Sequence, residues 1–366
     1  MKKIKGILII ALFAVIICGF GIWHAAASDA EISVSERRRL AKLPELTSKT
    51  VFSAEYMQDL EEYLLDQFPL RDTFRGIKTT VSRKLFGMQD TNGLYEYQDA
   101  IFKIEYPTDE KQIAYARDKF SEIYELYLSG TDVKAYYAII PDKNYYIREE
   151  SGRPMLDYDK LVEIMSGVSG MEYIDLFDVL SVGDYYATDT HWRQEKLQPV
   201  VQKLAEGMDI VEYLPDWDTY TAQSLTPFKG VYLGQSAMNV PADTLTYLES
   251  NGTRMAAVTS VESGAIPVYT IDRFTGTDGY DVYLGGAQAL LTIENPMSET
   301  DRELIVFRDS FGSSIAPLFV DTYRKITLVD LRYFSSKLLN DYVEFRDQDV
   351  LFLYSTSLLN SGRLLK

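Results

Sequence analysis

The sequence is poor in residues that form cross-links or bind soft metals. Its 366 residues include one cysteine, Cys18, and two histidines, His24 and His191. Cys18 lies in an apolar amino-terminal run, so the rest of the chain can form no disulfide and has no thiolate chemistry. One histidine without a thiol also argues against a tetrahedral zinc site. We therefore expect no metal and no cofactor.

The sequence also has few positively charged residues relative to negatively charged ones. The chain has 37 Lys and Arg residues against 54 Asp and Glu, a net charge of -17. A surface of this sign repels polyanions, which argues against nucleic acid as a partner. The apolar fraction of 46% with 25% charged residues is typical of a globular protein.

The amino terminus carries a long apolar run. Lys2, Lys3 and Lys5 precede an uncharged stretch from Gly6 to Ala27. The stretch is just long enough to span a bilayer, since about 20 residues suffice. Ala25-Ala26-Ala27 also offers the small residues of a cleavage site, but a retained anchor is favoured over a removed signal peptide. Either leaves the remainder outside the cytoplasm.

Two helices are predicted directly after this segment. Apolar residues recur at spacings of three and four in two stretches: Met57, Leu60, Leu64 and Phe68, then Phe74, Ile77, Val81 and Leu85. Ser53 is a suitable cap for the first helix, and Gly87 ends the second. We interpret both stripes as packing faces.

Further along, apolar strands alternate with helical patterns. Near-continuous apolar runs occur at Val133–Ile140, Leu304–Phe307, Ile326–Asp330 and Val350–Tyr354. Such runs are typical of strands covered on both faces. Strands separated by helices predict βαβ units, hence an α/β fold with a mainly parallel sheet.

These patterns divide the chain into three parts. Residues 1–28 form the signal-anchor or signal peptide, 29–90 a juxtamembrane helical segment, and 91–366 the α/β domain. Residues 211 to 278 are rich in Thr, Tyr and Gly with alternating apolar positions, which predicts a β-rich insertion.

His191 is the sole imidazole beyond the apolar run, so proton transfer near neutral pH falls to it. Asp189 lies two positions earlier. In an extended or turning backbone the two side chains point the same way, so the carboxylate can hold the imidazole in one tautomer. The alternative is a buried histidine satisfied by a nearby acid.

Ser310 follows the strand Leu304–Phe307 and precedes a predicted helix. This strand–turn–helix arrangement exposes a serine hydroxyl above the carboxyl edge of a sheet, with helix N–H groups facing a developing oxyanion. Helix capping is the alternative, since Asp and Ser are favoured caps. Because parallel strands end at one edge, we expect Ser310 and His191 to meet there.

Several short motifs resemble those of the DHHW family of Gram-positive bacteria. They are Ser35-Glu36 with Arg39-Leu40, Asp66–Asp72, Thr188–Trp192, Asp281–Gly286, Asp309-Ser310 and Val329–Tyr333. The resemblance spans nearly the whole chain past the anchor, and the motifs fall in the family's order. That family is similar to the SGNH-like O-acetyltransferases of alginate modification, in which an Asp-x-His pair precedes the serine.

The resemblance implies an SGNH-like three-layer sandwich with permuted motif order. It implies Ser310 as nucleophile, His191 as base and Asp189 as its orienter, while Asp309 matches the acid of the Gly-Asp-Ser block. The backbone of Gly286, with that of Ser310, is expected to bind the oxyanion.

Three further residues are expected at the same edge. Lys143 belongs to Pro141-Asp142-Lys143-Asn144, which resembles a Pro-x-Lys loop of the same acetyltransferases, and it is a candidate for substrate contact. The alternative is a plain turn without a function. Arg332 and Tyr333 follow the Ile326–Asp330 strand and are candidates for substrate contact.

The sequence departs from the family pattern at three positions. Thr190 replaces the name-giving second histidine, which leaves His191 in place. Arg308 stands where the acetyltransferases have glycine, and Ala287 where an asparagine would donate to the oxyanion. Loss of one such donor typically costs about 10²–10³ in rate.

The expected function is that of a membrane-anchored extracytoplasmic O-acetyltransferase acting on a cell-surface polysaccharide. The resemblance implies that a multipass membrane acyltransferase supplies the acetyl group. Two alternatives stay open. One is a carbohydrate esterase with the same three residues, and the other is a glycan-binding or scaffolding module without turnover.

Overall fold

The computed structural model describes residues 2–47, 50, 53–277 and 279–366. Its strands are β1 (Ile32–Ser33), β2 (Arg38–Arg39), β3 (Leu94–Tyr97), β4 (Ala100–Lys103), β5 (Lys134–Ile140), β6 (Glu172–Asp175), β7 (Thr221–Phe228), β8 (Asp243–Glu249), β9 (Ala257–Ser260), β10 (Gly264–Ile266), β11 (Leu290–Glu294), β12 (Glu303–Arg308), β13 (Lys325–Val329) and β14 (Asp349–Ser355). Its α-helices are α1 (Lys2–Ala26), α2 (Ala54–Asp66), α3 (Arg71–Lys84), α4 (Glu110–Ile123), α5 (Tyr158–Met165), α6 (Gln198–Gly207), α7 (Val231–Ser236), α8 (Asn251–Met255), α9 (Gly312–Ile315), α10 (Leu339–Tyr342) and α11 (Thr356–Leu359).

The larger of two compact units comprises Gly93–Tyr232 and Val240–Lys366. Its eight-stranded sheet has the order β10-β9-β11-β13-β12-β14-β5-β6. The pairings β6/β5, β5/β14, β14/β12 and β12/β13 are parallel, whereas β11 and β9 add an antiparallel edge. The predicted α/β fold with a mainly parallel sheet is confirmed.

Both faces of this sheet are covered. Along β14, Leu351 and Leu353 pack in one hydrophobic core, and Val350, Phe352 and Tyr354 pack in the other. Side chains of successive strand residues point to opposite faces, so a strand buried on both sides is apolar throughout. Helix α6 contributes to the first core, and α4 and α5 contribute to the second. The result is the three-layer sandwich implied by the resemblance.

The segment predicted as a β-rich insertion is divided between two sheets. Strands β7 and β8 form a separate two-stranded antiparallel sheet, while β9 and β10 extend the edge of the large sheet. The boundary that we placed at residue 278 lies outside the described residues.

The smaller unit comprises Met1–Asn92 and Leu233–Asn239. By length and composition α1 is able to cross a membrane, since Ile4–Ala26 contains an 18-residue window with a mean hydropathy of 2.7. Two family motifs meet in this unit: Arg38 forms an ion pair with Asp66, and Arg71 with Glu36 at 2.5 Å.

The predicted helices α2 and α3 form, but the interpretation of their apolar stripes as packing faces holds only in part, where Phe68 and Phe74 contact Phe20 of α1. Met57, Phe74, Ile77, Val81 and Leu85 are all exposed. The 3.6-residue period correctly identified which side chains share a face. The period does not specify whether the rest of the protein or its surroundings cover that face.

Candidate active site

The loop Tyr185–Trp192 is a tight hairpin, and the buried carboxylate of Asp243 holds it in place. Tyr186 N–H donates to His191 O at 3.1 Å, which closes the loop. Asp243 accepts from the backbone N–H groups of Ala187 and Thr188 at 3.0 and 2.8 Å, and from the Thr188 hydroxyl at 2.7 Å. These bonds hold the loop in place independently of the side chains of Asp189, His191 and Ser310.

Asp189, His191 and Ser310 form a continuous chain of hydrogen bonds. His191 Nε2 lies 2.8 Å from Ser310 Oγ, and Nδ1 lies 2.6 Å from Asp189 Oδ1. Asp189 Oδ1 also accepts the backbone N–H of His191 at 3.0 Å. The Asp-x-His spacing therefore places the carboxylate beside the ring through a local turn, as in a nucleophile–base–orienter arrangement.

Asp189 is fully buried yet remains ionised. Burial alone would raise the pKa of its carboxyl. The charge and hydrogen bond of His191, together with the Val231 N–H at 2.7 Å, outweigh burial and hold that pKa below its usual range. A fixed negative charge against Nδ1 stabilises the imidazolium that forms when His191 accepts a proton.

Ser310 sits at the turn between β12 and α9. Asp309 does not join the chain of hydrogen bonds to the imidazole. Its Oδ1 accepts from Phe311 N–H at 3.0 Å and its Oδ2 from Ser355 N–H at 2.8 Å, at the end of β14. The carboxylate thus ties the serine turn to the neighbouring strand, which is a positioning role.

An aromatic ring that no sequence motif predicts covers the imidazole. Tyr280 lies parallel to His191, with ring centroids 3.7 Å apart and an interplanar angle of 5°. Its hydroxyl donates to Ser314 Oγ at 2.7 Å, and Trp192 Nε1 donates to the same oxygen at 2.8 Å. Ser314 therefore fixes both neighbours of the imidazole.

Lys143 lies at this edge but is only 3% exposed. Its ammonium donates to the backbone carbonyls of Tyr186 and Asp189 at 2.9 and 2.8 Å. Burial lowers the pKa of Lys143 to about 7, opposed by the nearby carboxylates. Because its donors are used on the loop, the geometry favours a positioning role over the expected substrate contact.

Arg308 connects the serine turn to two other predicted segments. This guanidinium, 1% exposed, lies 3.6 Å from Asp330 Oδ2 and donates to the carbonyl of Gln288 at 3.5 Å. Arg332 makes two hydrogen bonds to Asp330, at 2.9 and 2.6 Å, and lies over the half-exposed ring of Tyr333. The Asp330 carboxylate is thus shared by two arginines.

Of the two backbone donors expected to bind an oxyanion, Gly286 and Ser310, one is engaged. Gly286 N–H donates to Tyr283 O at 3.1 Å, and its φ of +81° with Asp281 beside it requires glycine. Phe311 and Gly312 N–H donate to Asp309 at 3.0 and 3.1 Å. The N–H of Ser310 has no acceptor among the residues that the structure describes. Of these four N–H groups, that of Ser310 is the one with capacity for an oxyanion.

The comparisons with known proteins agree with this fold. The sequence matches no protein-family model and no curated protein. In structure, the chain is similar to a DHHW family protein from Eubacterium siraeum, with a TM-score of 0.62 and 20% identity over 75% of this chain and 94% of that one. PatB1 from Bacillus cereus gives a TM-score of 0.61 and 16% identity over 75% and 98%.

These likenesses confirm the sequence resemblance at the level of the fold. The O-acetyltransferase domain of Pseudomonas putida AlgJ superposes more loosely, with a TM-score of 0.42 and 13% identity over 73% of this chain and 92% of that one, and we base nothing on it. At such identities the shared property is the α/β architecture, and activity has to be argued from the site.

Proposed function

We propose that the protein is an extracytoplasmic O-acetyltransferase that modifies a cell-surface polysaccharide. The observation that carries the proposal is the chain Asp189–His191–Ser310, with donor–acceptor distances of 2.6 and 2.8 Å. Such distances are the ones that nucleophilic acyl transfer needs. The fold shared with the DHHW family protein and the sequence resemblance support the choice of acetyl transfer to glycan.

In the first half-reaction Ser310 Oγ attacks the acetyl carbonyl while His191 Nε2 takes its proton. The tetrahedral oxyanion is stabilised by the Ser310 N–H, and the proton then passes to the leaving group as the acetyl–enzyme forms. In the second, His191 removes the proton of a sugar hydroxyl, whose oxygen attacks the acetyl–enzyme. Ser310 Oγ leaves and recovers that proton. A multipass membrane acyltransferase would supply the acetyl group outside the cytoplasm.

The test compares acetyl content of the surface glycan in cells that express each variant at matched level. Ser310→Ala and His191→Ala should each lower acetylation by about 10⁴-fold or more, and to a similar extent, because members of one unit are not additive. Asp189→Asn should be severely but less impaired. Thr190→Ala, in the same loop, is the matched control and should retain activity. Wild-type acetylation by Ser310→Ala would show that the serine is only structural.

The esterase alternative is separated with purified protein and an activated acetyl ester. A transferase releases one equivalent of the leaving group as the acetyl–enzyme forms, and it then turns over slowly until a glycan acceptor is added, because the sugar hydroxyl resolves the acetyl–enzyme. An esterase turns over without acceptor. A scaffold shows neither the initial release nor the later turnover.

A further inference from the structure

The polarity of α3 is inverted relative to a helix on the surface of a soluble protein. Ile77 is 53% exposed and Leu85 74% exposed, whereas Thr79 on the opposite face is 5% exposed and donates to Ser236 O at 2.9 Å. On the same inner face Arg75 donates to two backbone carbonyls of the 233–239 segment at 3.0 and 2.9 Å. The polar side is buried in the protein and the apolar side faces outward.

Helix α2 also turns apolar side chains outward, next to exposed acidic residues such as Glu61 and Glu62. Its one buried residue is Asp66, which accepts from Ala41 N–H at 2.9 Å and pairs with Arg38. Met57 and Leu65 on its outer surface are 60% and 64% exposed. Two adjacent helices therefore both expose apolar side chains, and contiguous exposed apolar patches mark interaction sites.

The patch is continuous with the apolar helix α1. Phe20 of α1 stacks on Phe68 with ring centroids 5.4 Å apart, and lies 5.8 Å from Phe74. Residues of α1 and of the α2–α3 hairpin together line an apolar groove of about 470 Å³. His24 Nδ1 bonds to Gln67 O at 3.0 Å and fixes the turn of the hairpin to the end of α1.

The contact with Phe20 determines how far the α2–α3 hairpin lies from the end of α1. Phe20 precedes the last residue of α1 by six positions, which corresponds to about 9 Å along a helix. Amphipathic helices in a membrane interface bury their apolar face about 5–10 Å below the headgroups. If the end of α1 lies at the membrane surface, its contacts Phe68 and Phe74 are at acyl-chain depth.

We propose that the α2–α3 hairpin lies in the outer leaflet of the membrane that α1 spans. Its apolar stripes contact lipid acyl chains, which also fill the groove beside Phe20. Lys78 and Lys84, exposed on α3, are then placed to meet lipid phosphates. The inference rests on α1 as a membrane anchor, which is part of the proposed function, but not on the chemistry of Ser310.

The test uses the full chain with Cys18→Ser and one introduced cysteine, reconstituted in vesicles of phosphatidylcholine and phosphatidylglycerol. Ile77→Cys and Leu85→Cys probe the α3 stripe. Thr80→Cys and Glu62→Cys, exposed on the flanks of the same helices, are matched controls. A membrane-impermeant maleimide should label the stripe positions at least about tenfold more slowly, because the reactive thiolate does not form in hydrocarbon.

A second readout identifies what covers the stripe. Bimane attached at Leu85→Cys should be quenched by lipid-linked nitroxides, and bimane at Thr80→Cys should be quenched much less. Equal labelling of stripe and control overturns the proposal. Slow labelling without lipid quenching also overturns it, in favour of a protein cover such as a second copy. Intact mass of the same preparation shows that α1 is retained, and the acetylation assay separately reports the enzyme.

Discussion

The ring of Tyr280 should contribute directly to the chemistry of His191. In the proposed mechanism, proton transfer from Ser310 converts the imidazole to an imidazolium, whose edge is held by Asp189 and whose face lies 3.7 Å from the Tyr280 ring. An aromatic face attracts a cation, and a desolvated interaction of this kind contributes about 2 kcal/mol. Because the cation exists only after proton transfer, the attraction favours the transition state over the ground state.

Replacing the ring tests this reasoning. Tyr280→Leu removes the stacked face, and a loss of about 2 kcal/mol predicts an acylation rate about 30-fold lower with little change in KM. Tyr280→Phe keeps the ring and loses only the bond to Ser314, whose Oγ still accepts from Trp192 and donates to Phe311 O. The Phe variant should acylate at close to the wild-type rate and lose about 1 kcal/mol of stability.

The assay is single-turnover release of nitrophenolate from p-nitrophenyl acetate, with thermal unfolding of each variant as the fold control. If folded Tyr280→Leu acylates within about twofold of the wild type, the ring is only packing. If Tyr280→Phe loses as much rate as Tyr280→Leu, the hydroxyl and not the aromatic face is responsible.

Two further predictions concern buried charges near the site. Asp330→Asn should lower the free energy of unfolding by about 3–5 kcal/mol, because it leaves the buried Arg308 without its carboxylate, whereas Arg308→Met leaves Asp330 paired with Arg332 and should cost less. Equal losses in urea unfolding would contradict this asymmetry. Burial lowers the pKa of Lys143 from 10.5 to about 7. Between these two pH values the Lys143 amine is therefore protonated in the unfolded chain and mostly deprotonated in the folded protein. The stability of the wild type relative to Lys143→Met should therefore rise with pH across that window by up to about 1.4 kcal/mol per pH unit, and parallel stability curves would refute the argument.

The sequence was sufficient where geometry is local or follows from topology. Asp189 and His191 are two residues apart in a turn, so their relation is a property of the backbone. Ser310 follows a strand whose apolar run identifies it as central, and parallel strands bring such ends to one edge. These three residues could be expected to meet without any knowledge of the loops between them.

Long-range packing was not accessible in the same way. Tyr280 reaches His191 from a loop 89 residues further along the chain, and no local pattern around Gly279–Val282 indicates it. The position of Lys143 was predictable, but the direction of its ammonium was not, since backbone carbonyls of another loop determine it. For α2 and α3, periodicity identified the shared face but not its surroundings.

The placement of β14 has a consequence for how the protein is made. This strand, residues 349–355, lies between β12 and β5 in the middle of the sheet, and its terminal Ser355 N–H holds the Asp309 carboxylate. Neither the central sheet nor the serine turn is complete until residue 355 has been synthesised. Its partner β5 is more than 200 positions earlier in the chain, so the closing step has very high contact order and is slow.

For the extracytoplasmic location proposed above, this order of events is an advantage. A chain that passes through a membrane translocase must stay unfolded while it does so, and a sheet that lacks a central strand cannot close prematurely. Folding would follow translocation, outside the cytoplasm, once the segment after Gln348 has emerged. The cost is an interval in which the edges of β12 and β5 are open to pairing with other chains, so aggregation at this stage competes with folding.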